Sequence, residues 1–184
     1  MGGHTGARGI RALEDDTMKV LVTAASRHGA TTEVAASIGG VLTAAGHEVQ
    51  VMHPLEVRGL DGFDAAIIGS AVYMGRWMEP ARDLVEREKV ALTRVPVWLF
   101  SSGPVGDPPT PADESLDGAA LAELVGAREH VTFAGQIERR RLGFGEKAIM
   151  AAVRAPEGDF RDWDAIEGWA RGIAAALARS GALV

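Results

Sequence analysis

The segment from Ser26 to Thr31 has the composition of a loop that binds an anion. It carries a hydroxyl at each end, an arginine charge and a glycine that permits close backbone approach, in the order Ser26, Arg27, His28, Gly29, Ala30 and Thr31. An apolar run ends just before this segment and a helical pattern begins just after it. Its backbone N–H groups therefore fall at a helix N-terminus, where the helix dipole favours negative charge, and the segment predicts a phosphate site.

Two common phosphate-binding patterns are absent from this loop. No Gly-Lys pair followed by Ser or Thr comes after Gly29, and no Gly-x-Gly-x-x-Gly pattern is present to bind a dinucleotide. A mononucleotide is therefore favoured over an extended dinucleotide. The residues alone leave one alternative open, which is a plain strand-to-helix turn with a threonine as the N-cap.

Short apolar runs alternate with helical patterns along the chain. The runs predict strands at Lys19 to Thr23, Glu48 to Met52, Ala65 to Gly69, Pro96 to Phe100 and His130 to Phe133. Helical spacing predicts helices that begin near Thr32, Pro80, Leu116 and Trp163. This alternation predicts an α/β fold, a doubly wound sandwich with helices on both faces of a five-stranded parallel sheet in the order 2-1-3-4-5.

That strand order also predicts where a ligand binds. In such a sheet the order reverses beside strand 1, and ligands bind outside the carboxyl ends of strands 1 and 3. The loops at those ends run from Thr23 to Thr31 and from Ser70 to Trp77. Both are rich in hydroxyl and small residues rather than in acids.

The composition limits the classes of function. The chain has 184 residues, of which 47% are apolar, so we expect one domain with a substantial core. Its formal net charge of −6 argues against a nucleic-acid partner. The absence of cysteine excludes disulfides and thiol nucleophiles, and no apolar run reaches the roughly 20 residues of a membrane-spanning helix.

The first 17 residues differ from the remainder. They are rich in glycine and polar residues and lack the apolar core of a signal peptide. We interpret residues 1–17 as a disordered leader or as the result of an upstream start, with Met18 as the functional start of a cytoplasmic domain that extends to residue 184.

Four segments resemble a known family when taken in order. The Ser-x-x-Gly-x-Thr pattern from Ser26 to Thr31 resembles the FMN phosphate loop of flavodoxins. The run from Ile67 to Gly75 is similar to the third-strand loop of the flavodoxin-like, menaquinone-dependent protoporphyrinogen dehydrogenases. Val131 to Gly135 resembles their fifth strand, and Arg161-Asp162-Trp163 opens a last helix much like theirs. The resemblance extends from Met18 to about Ser180 and implies a flavodoxin-like fold with FMN as cofactor.

The resemblance implies a role for three loops. The residues from Ser26 to Thr31 would hold the FMN phosphate. Those that would border the isoalloxazine ring are Ser70, Ala71, Val72, Tyr73, Met74 and Gly75. Those that would flank its other side or edge are Ser101, Ser102, Gly103 and Pro104.

The aromatic residues of these loops depart from the flavodoxin pattern. Carriers of this family often place the flavin between aromatics from two loops, whereas this chain has Tyr73 and Trp77 in one loop and none in the other. That departure leaves one flavin face open to a substrate and favours an enzyme. Trp77 also fits the apolar stripe of the following helix, so packing beneath that helix is the alternative to a flavin contact.

The segment from Glu138 to Arg154 is locally basic in an acidic chain. Apolar residues alternate with its charges, which include Arg139, Arg140 and Arg141. One interpretation is an extra surface helix that covers the sheet edge. The other is a basic amphipathic element that contacts an anionic membrane or a propionate-bearing substrate. The dehydrogenases named above carry a longer and more aromatic insertion at this place.

Two functions are expected from the resemblance. The first is an FMN oxidoreductase that passes electrons between a small organic substrate and a quinone, resembling protoporphyrinogen dehydrogenase. The second is a flavodoxin-type electron carrier between protein partners. A further alternative, outside these two, is a flavin-free regulatory domain on the same scaffold. No side chain is assigned as a general acid or base, and no metal site is predicted.

Overall fold

The structure, a computed structural model, describes residues 17–103, 116–152 and 157–181. Its main sheet has parallel strands β1 (Lys19–Ala25), β2 (Glu48–Met52), β3 (Ala65–Tyr73), β5 (Val97–Ser102) and β6 (Glu129–Phe133). They lie in the order β2-β1-β3-β5-β6. Counted without the short strand β4 (Arg76–Trp77), this is the predicted order 2-1-3-4-5, so the predicted doubly wound α/β fold is confirmed.

The helices cover both faces of this sheet. Those that cover it are α1 (Ala30–Ala44), α2 (Glu79–Leu92), α3 (Leu116–Val125) and α5 (Trp163–Gly181), and α4 (Phe144–Ala152) lies in the segment between the last two. Helices α1 and α5 share one apolar core with the sheet, and α2 and α3 share the other. Alternate residues of β1 enter the two cores, with Val20 and Val22 on one side and Leu21 on the other. Burial on both faces explains the continuous apolar runs of the central strands.

A close contact between β3 and β5 fixes the centre of the sheet. Gly69 is paired with Phe100 across the two strands, and a Cβ added at Gly69 would lie 2.1 Å from the Phe100 ring. Phe100 is fully buried. The absence of a side chain at Gly69 therefore provides the space that the ring occupies.

The residues predicted to form a loop after the third strand form a hairpin instead. Strand β3 continues beyond Gly69 to Tyr73, and the chain returns through β4, which pairs antiparallel with it. The turn residues Met74 and Gly75 have φ values of 51° and 76°. Positive φ at both central residues is typical of a type I′ hairpin turn. The sequence predicts a loop from Ser70 to Trp77, and that prediction is wrong for Ser70 to Tyr73 and for Arg76 and Trp77, which form strands on either side of the turn.

A second hairpin was not predicted. Strands β7 (Gln136–Ile137) and β8 (Gly158–Asp159) pair antiparallel and enclose a single helical turn, Arg139–Arg141, followed by α4. Two-residue strands carry no periodic pattern, which is why the sequence did not indicate them. The predicted leader lies outside the described residues up to residue 16, as do Val153 and Arg154 at the end of the basic segment. Within the described residues, no helix has the length and apolar character needed to cross a membrane.

Candidate functional site

The three predicted cofactor segments leave neighbouring strands at the same edge of the sheet. Ala25 at the end of β1 pairs with Ser70 in β3, and Ser70 pairs with Ser101 in β5. Because the strands are parallel, the residues that follow their carboxyl ends lie at one edge. The predicted site residues from all three segments are therefore brought together, except Pro104, which lies outside the described residues.

The loop between β1 and α1 is organised around one hydroxyl. Ser26 Oγ accepts hydrogen bonds from the backbone N–H groups of Gly29, at 3.0 Å, and Thr31, at 3.2 Å. Gly29 is the N-cap of α1 and has a φ of 92°, a conformation that favours glycine. Its carbonyl accepts the first helical hydrogen bond, from Glu33 at 3.0 Å. The loop thus places the Ser26 hydroxyl at the positive end of a helix, whose dipole favours the anion that the sequence predicts.

This geometry fits a phosphate. Ser26 acts as acceptor in both of its hydrogen bonds, so its hydroxyl proton remains available to a phosphate oxygen. Thr31 is buried in the first turn of α1, and Arg27 is exposed on the loop. The residues predicted to hold a phosphate are thus already arranged around one helix terminus.

An arginine from the basic segment contacts this loop. Arg141 lies in the helical turn after β7 and donates a hydrogen bond from Nη1 to the carbonyl oxygen of His28, at 2.8 Å. Its Nε lies 2.8 Å from Glu138 Oε2, and Arg140 Nε lies 2.9 Å from the same oxygen. The hydrogen bond from Arg140 is the largest influence that lowers the pKa of Glu138. The segment that was considered for membrane or substrate contact therefore also contacts the predicted phosphate loop.

A second arginine, Arg161, contacts the β1–α1 region at the first residue of α1. The Arg161 side chain is 3% exposed and lies between Asp159, at 2.7 Å, and Glu33, at 2.8 Å. Arg161 Nη1 also donates to the carbonyl oxygen of Ala30, at 3.1 Å, and its guanidinium stacks 4.5 Å from the ring of Trp163. The hydrogen bond from Arg161 holds the pKa of Asp159 below its ordinary value. Arg161 thereby offsets part of the charge of Glu33, which would otherwise oppose an anion at the start of α1.

The hairpin after β3 presents its tip to solvent. Met74 is 97% exposed and Tyr73 is 39% exposed, whereas Ser70 is fully buried. The Ser70 hydroxyl donates to the carbonyl oxygen of Ala71, at 2.8 Å, and accepts from the N–H of Met78, at 2.9 Å. The side chain of Ser70 is therefore committed to the base of the hairpin. Tyr73 and Met74 are the side chains of this segment that are accessible to a ring.

The sequence predicts that Ser101 and Ser102 follow the fourth strand, but both lie within β5 and are packed inward, and Gly103 directly follows the strand. Ser101 Oγ accepts from Trp77 Nε1 at 2.7 Å and lies 2.9 Å from His130 Nε2. Trp77 is 2% exposed and belongs to the core shared with α2, so it packs in the core as the alternative interpretation held. Ser102 is buried, and a Cβ added at Gly103 would lie 3.1 Å from Val72 Cβ. Gly103 therefore brings this segment against the hairpin.

Asp117, at the start of α3, fixes the base of the hairpin. Its Oδ2 accepts from the backbone N–H of Trp77 at 3.0 Å and lies 3.5 Å from Arg76 Nε and 3.7 Å from Arg82 Nη1. The sequence did not indicate this role, nor those of Arg141 and Arg161. Their partners lie 40, 113 and 131 positions away along the chain, so no local pattern could identify them.

Comparisons with known proteins identify the family to which this chain belongs. The family profile described as "Flavodoxin domain" matches residues 21–164. The chain belongs to the flavodoxin-domain family, and FMN is the cofactor of that family, as predicted. A specific relation to the protoporphyrinogen dehydrogenases does not follow from this match. The comparison with curated proteins finds no match.

Solved structures share the fold at low identity. A flavodoxin from the domain Archaea has 16% identity and a TM-score of 0.62, over 87% of this chain and 99% of that chain. The C101S mutant of a flavodoxin from Pseudomonas aeruginosa has 20% identity and a TM-score of 0.56, over 87% and 99%. The rubredoxin oxygen:oxidoreductase from the anaerobe Desulfovibrio gigas has 12% identity and a TM-score of 0.64, over 94% of this chain and 39% of that chain.

Proposed function

We propose that this chain is an FMN-dependent oxidoreductase that passes electrons between a small organic substrate and a quinone, resembling menaquinone-dependent protoporphyrinogen dehydrogenase. FMN supplies the electron-transfer chemistry when bound, and the protein supplies binding, orientation and electrostatics. The domain comprises residues 18–184 in this proposal and acts in the cytoplasm.

The observation that carries the proposal is the loop around Ser26 at the start of α1. Ser26 provides a hydroxyl at the start of α1, and the N–H groups of Gly29 and Thr31 fold the loop around it by donating to its oxygen. In the proposed complex this loop holds the phosphate. The exposed tip of the β3–β4 hairpin, with Tyr73 and Met74, borders the ring, and Gly103 packs against the base of that hairpin.

The basic segment favours an enzyme over a carrier. It contacts the phosphate loop through Arg141 and presents Phe144, which is 94% exposed, at the start of α4. We propose that the segment from Glu138 to Arg154 also makes a peripheral contact with anionic lipid, from which a quinone would be reached. Sedimentation with vesicles of mixed neutral and anionic lipid tests this part. Binding that Phe144→Ala does not weaken would contradict it.

An electron carrier is the second candidate. The formal net charge of −6 favours it, because acidic surfaces steer carriers toward basic partners. A reductive titration separates the two functions. A single two-electron step favours the enzyme, and two resolved one-electron steps favour the carrier.

Flavin binding is the first experiment. The purified protein is titrated into FMN, and the visible spectrum and flavin fluorescence are recorded for the wild type, Ser26→Ala and Thr31→Ala. We expect quenching by the wild type and weaker binding by both variants. Thr43→Ala is the matched control, because that hydroxyl donates to the Gly39 carbonyl oxygen, at 2.8 Å, near the opposite end of the same helix. A wild type that leaves FMN fluorescence unchanged would refute the proposal.

A further inference from the structure

Arg141 contacts the predicted phosphate loop from outside the loop's own sequence. Its Nη1 donates to the His28 carbonyl oxygen at 2.8 Å, and a Cβ added at Gly29 would lie 3.6 Å from the same nitrogen. The guanidinium therefore lies against the two residues that lead into α1. Those residues frame the positive end of that helix, where the site would hold its anion.

The Arg141 guanidinium has more N–H donors than its contacts with His28 and Glu138 use. One N–H of Nη1 is used by His28, and Nε is paired with Glu138 Oε2 at 2.8 Å. A guanidinium carries more N–H groups than these two contacts use, and its planar fork matches the oxygens of a phosphate. Arg141 can therefore donate to a phosphate oxygen while it keeps its hydrogen bond to the His28 carbonyl oxygen.

The charges around the loop leave Arg141 with net positive character. Arg140 and Arg141 share the single carboxylate of Glu138, so this turn retains an excess cation. Arg161 differs, because Asp159 and Glu33 lie on either side of it and its charge is more than balanced. Of these two arginines that contact the loop, Arg141 is the one that can attract an anion.

We propose that Arg141 is a direct ligand of the flavin phosphate and makes the site selective for the phosphorylated flavin over riboflavin. The inference rests on the proposed FMN site. It gives the segment after β6 a function in binding. This segment supplies a cation, Arg141, and the β1–α1 loop holds that cation through the His28 carbonyl oxygen. The phosphate is thus bound by two parts of the chain that lie 113 positions apart.

The experiment compares dissociation constants for FMN and riboflavin, measured by flavin fluorescence, in the wild type, Arg141→Gln and Arg140→Gln. We expect Arg141→Gln to weaken FMN binding by about 10- to 100-fold, the value of one charge-assisted hydrogen bond, and to leave riboflavin binding unchanged. Arg140 is the matched control, because it belongs to the same turn and pairs with the same carboxylate but is 80% exposed. We expect Arg140→Gln to change either constant less than about threefold.

The outcomes separate this inference from the proposed function. A wild type that binds neither flavin overturns both. A wild type that binds FMN while Arg141→Gln binds it equally well overturns the role of Arg141 alone, as does an equal loss of both flavins, which would indicate a role in loop shape. If Arg141→Gln does not fold, Arg141→Lys decides the question. A several-fold loss for FMN alone supports the inference, and unchanged binding of both flavins overturns it.

Discussion

Arg161 Nη1 lies 2.8 Å from Glu33 Oε2, across 128 positions of sequence. This ion pair joins the segment before α5 to the first turn of α1. The same guanidinium donates to the Ala30 carbonyl oxygen and pairs with Asp159, so one buried side chain connects β8, α1 and the start of α5. The stability of the phosphate loop therefore depends on a residue near the last helix.

We expect Arg161→Met to lower the free energy of unfolding by about 1–3 kcal/mol, since it removes charge-assisted hydrogen bonds and the stacking on Trp163. Solvent screens part of this loss, because Glu33 and Asp159 remain partly exposed. Urea unfolding measures the change. The control is Arg171→Met, which removes an exposed ion pair with Glu167 within one helix and should cost less than about 0.5 kcal/mol. Equal losses in the free energy of unfolding for Arg161→Met and Arg171→Met would contradict the structural role of Arg161.

The pair of Asp159 and Arg161 should make stability depend on pH. The pKa of Asp159 is lowered in the folded state, mainly by the hydrogen bond from Arg161. Its stabilising contribution is therefore complete above the unfolded pKa, near pH 4, and is lost as the pH falls through the folded pKa. The difference in unfolding free energy between the wild type and Asp159→Asn should be constant at neutral pH and shrink in acid. In an Arg161→Met background the pH dependence should disappear, and its persistence there would assign it to another group.

Two glycines should respond to alanine in opposite directions. Gly69→Ala places a methyl group 2.1 Å from the buried Phe100 ring, and we expect a loss of about 1–3 kcal/mol in the free energy of unfolding. Gly40 lies within α1, and a Cβ there meets no atom within 4 Å. Gly40→Ala should therefore raise stability by about 0.5–1 kcal/mol, because alanine favours the helix. Chemical denaturation of both variants tests the contact, and a harmless Gly69→Ala would refute it.

A substitution in the turn of the β3–β4 hairpin should increase the stability of the protein. Met74 adopts a φ of 51°, which a methionine side chain disfavours, before Gly75 at 76°. Asn-Gly is the preferred pair for such a turn, so Met74→Asn should raise stability by about 0.5–1 kcal/mol. Gly75→Ala should lower it by about 1 kcal/mol, because alanine must then adopt positive φ. Thermal unfolding of the two variants checks both signs. A destabilised Met74→Asn would show that the methionine side chain has a structural partner.

The strand order and the helices could be predicted because their signals are local. The apolar run before Ser26, the stripe of Ile166, Ala170 and Ile173 in α5, and the glycine after α1 each lie within one element. The gathering of three loops at one edge followed from the strand order alone. The assignment of individual residues in those loops to FMN stays a prediction.

The remaining features depend on contacts that no local pattern encodes. Trp77 fits both a flavin contact and a helix stripe by sequence, and its hydrogen bond to Ser101 of β5 depends on the pairing of β4 with β3, which is not encoded locally. The hairpin was missed because a methionine occupies a turn position that normally takes asparagine or glycine. The two arginines at the loop lie in segments whose own patterns indicate only a basic surface and a helix start.

The separation of Arg161 from Ala30 has a consequence for the order of events during synthesis. The β1–α1 loop is among the first described segments to leave the ribosome, yet the guanidinium that secures it is added 131 residues later. At synthesis rates of about 5–20 residues per second, this interval lasts roughly 7–26 s. The nascent loop lacks Arg161 throughout this interval, and it lacks Arg141 for most of it. We therefore expect the β1–α1 loop to reach the conformation described above only after the segment that carries Arg161 has been translated.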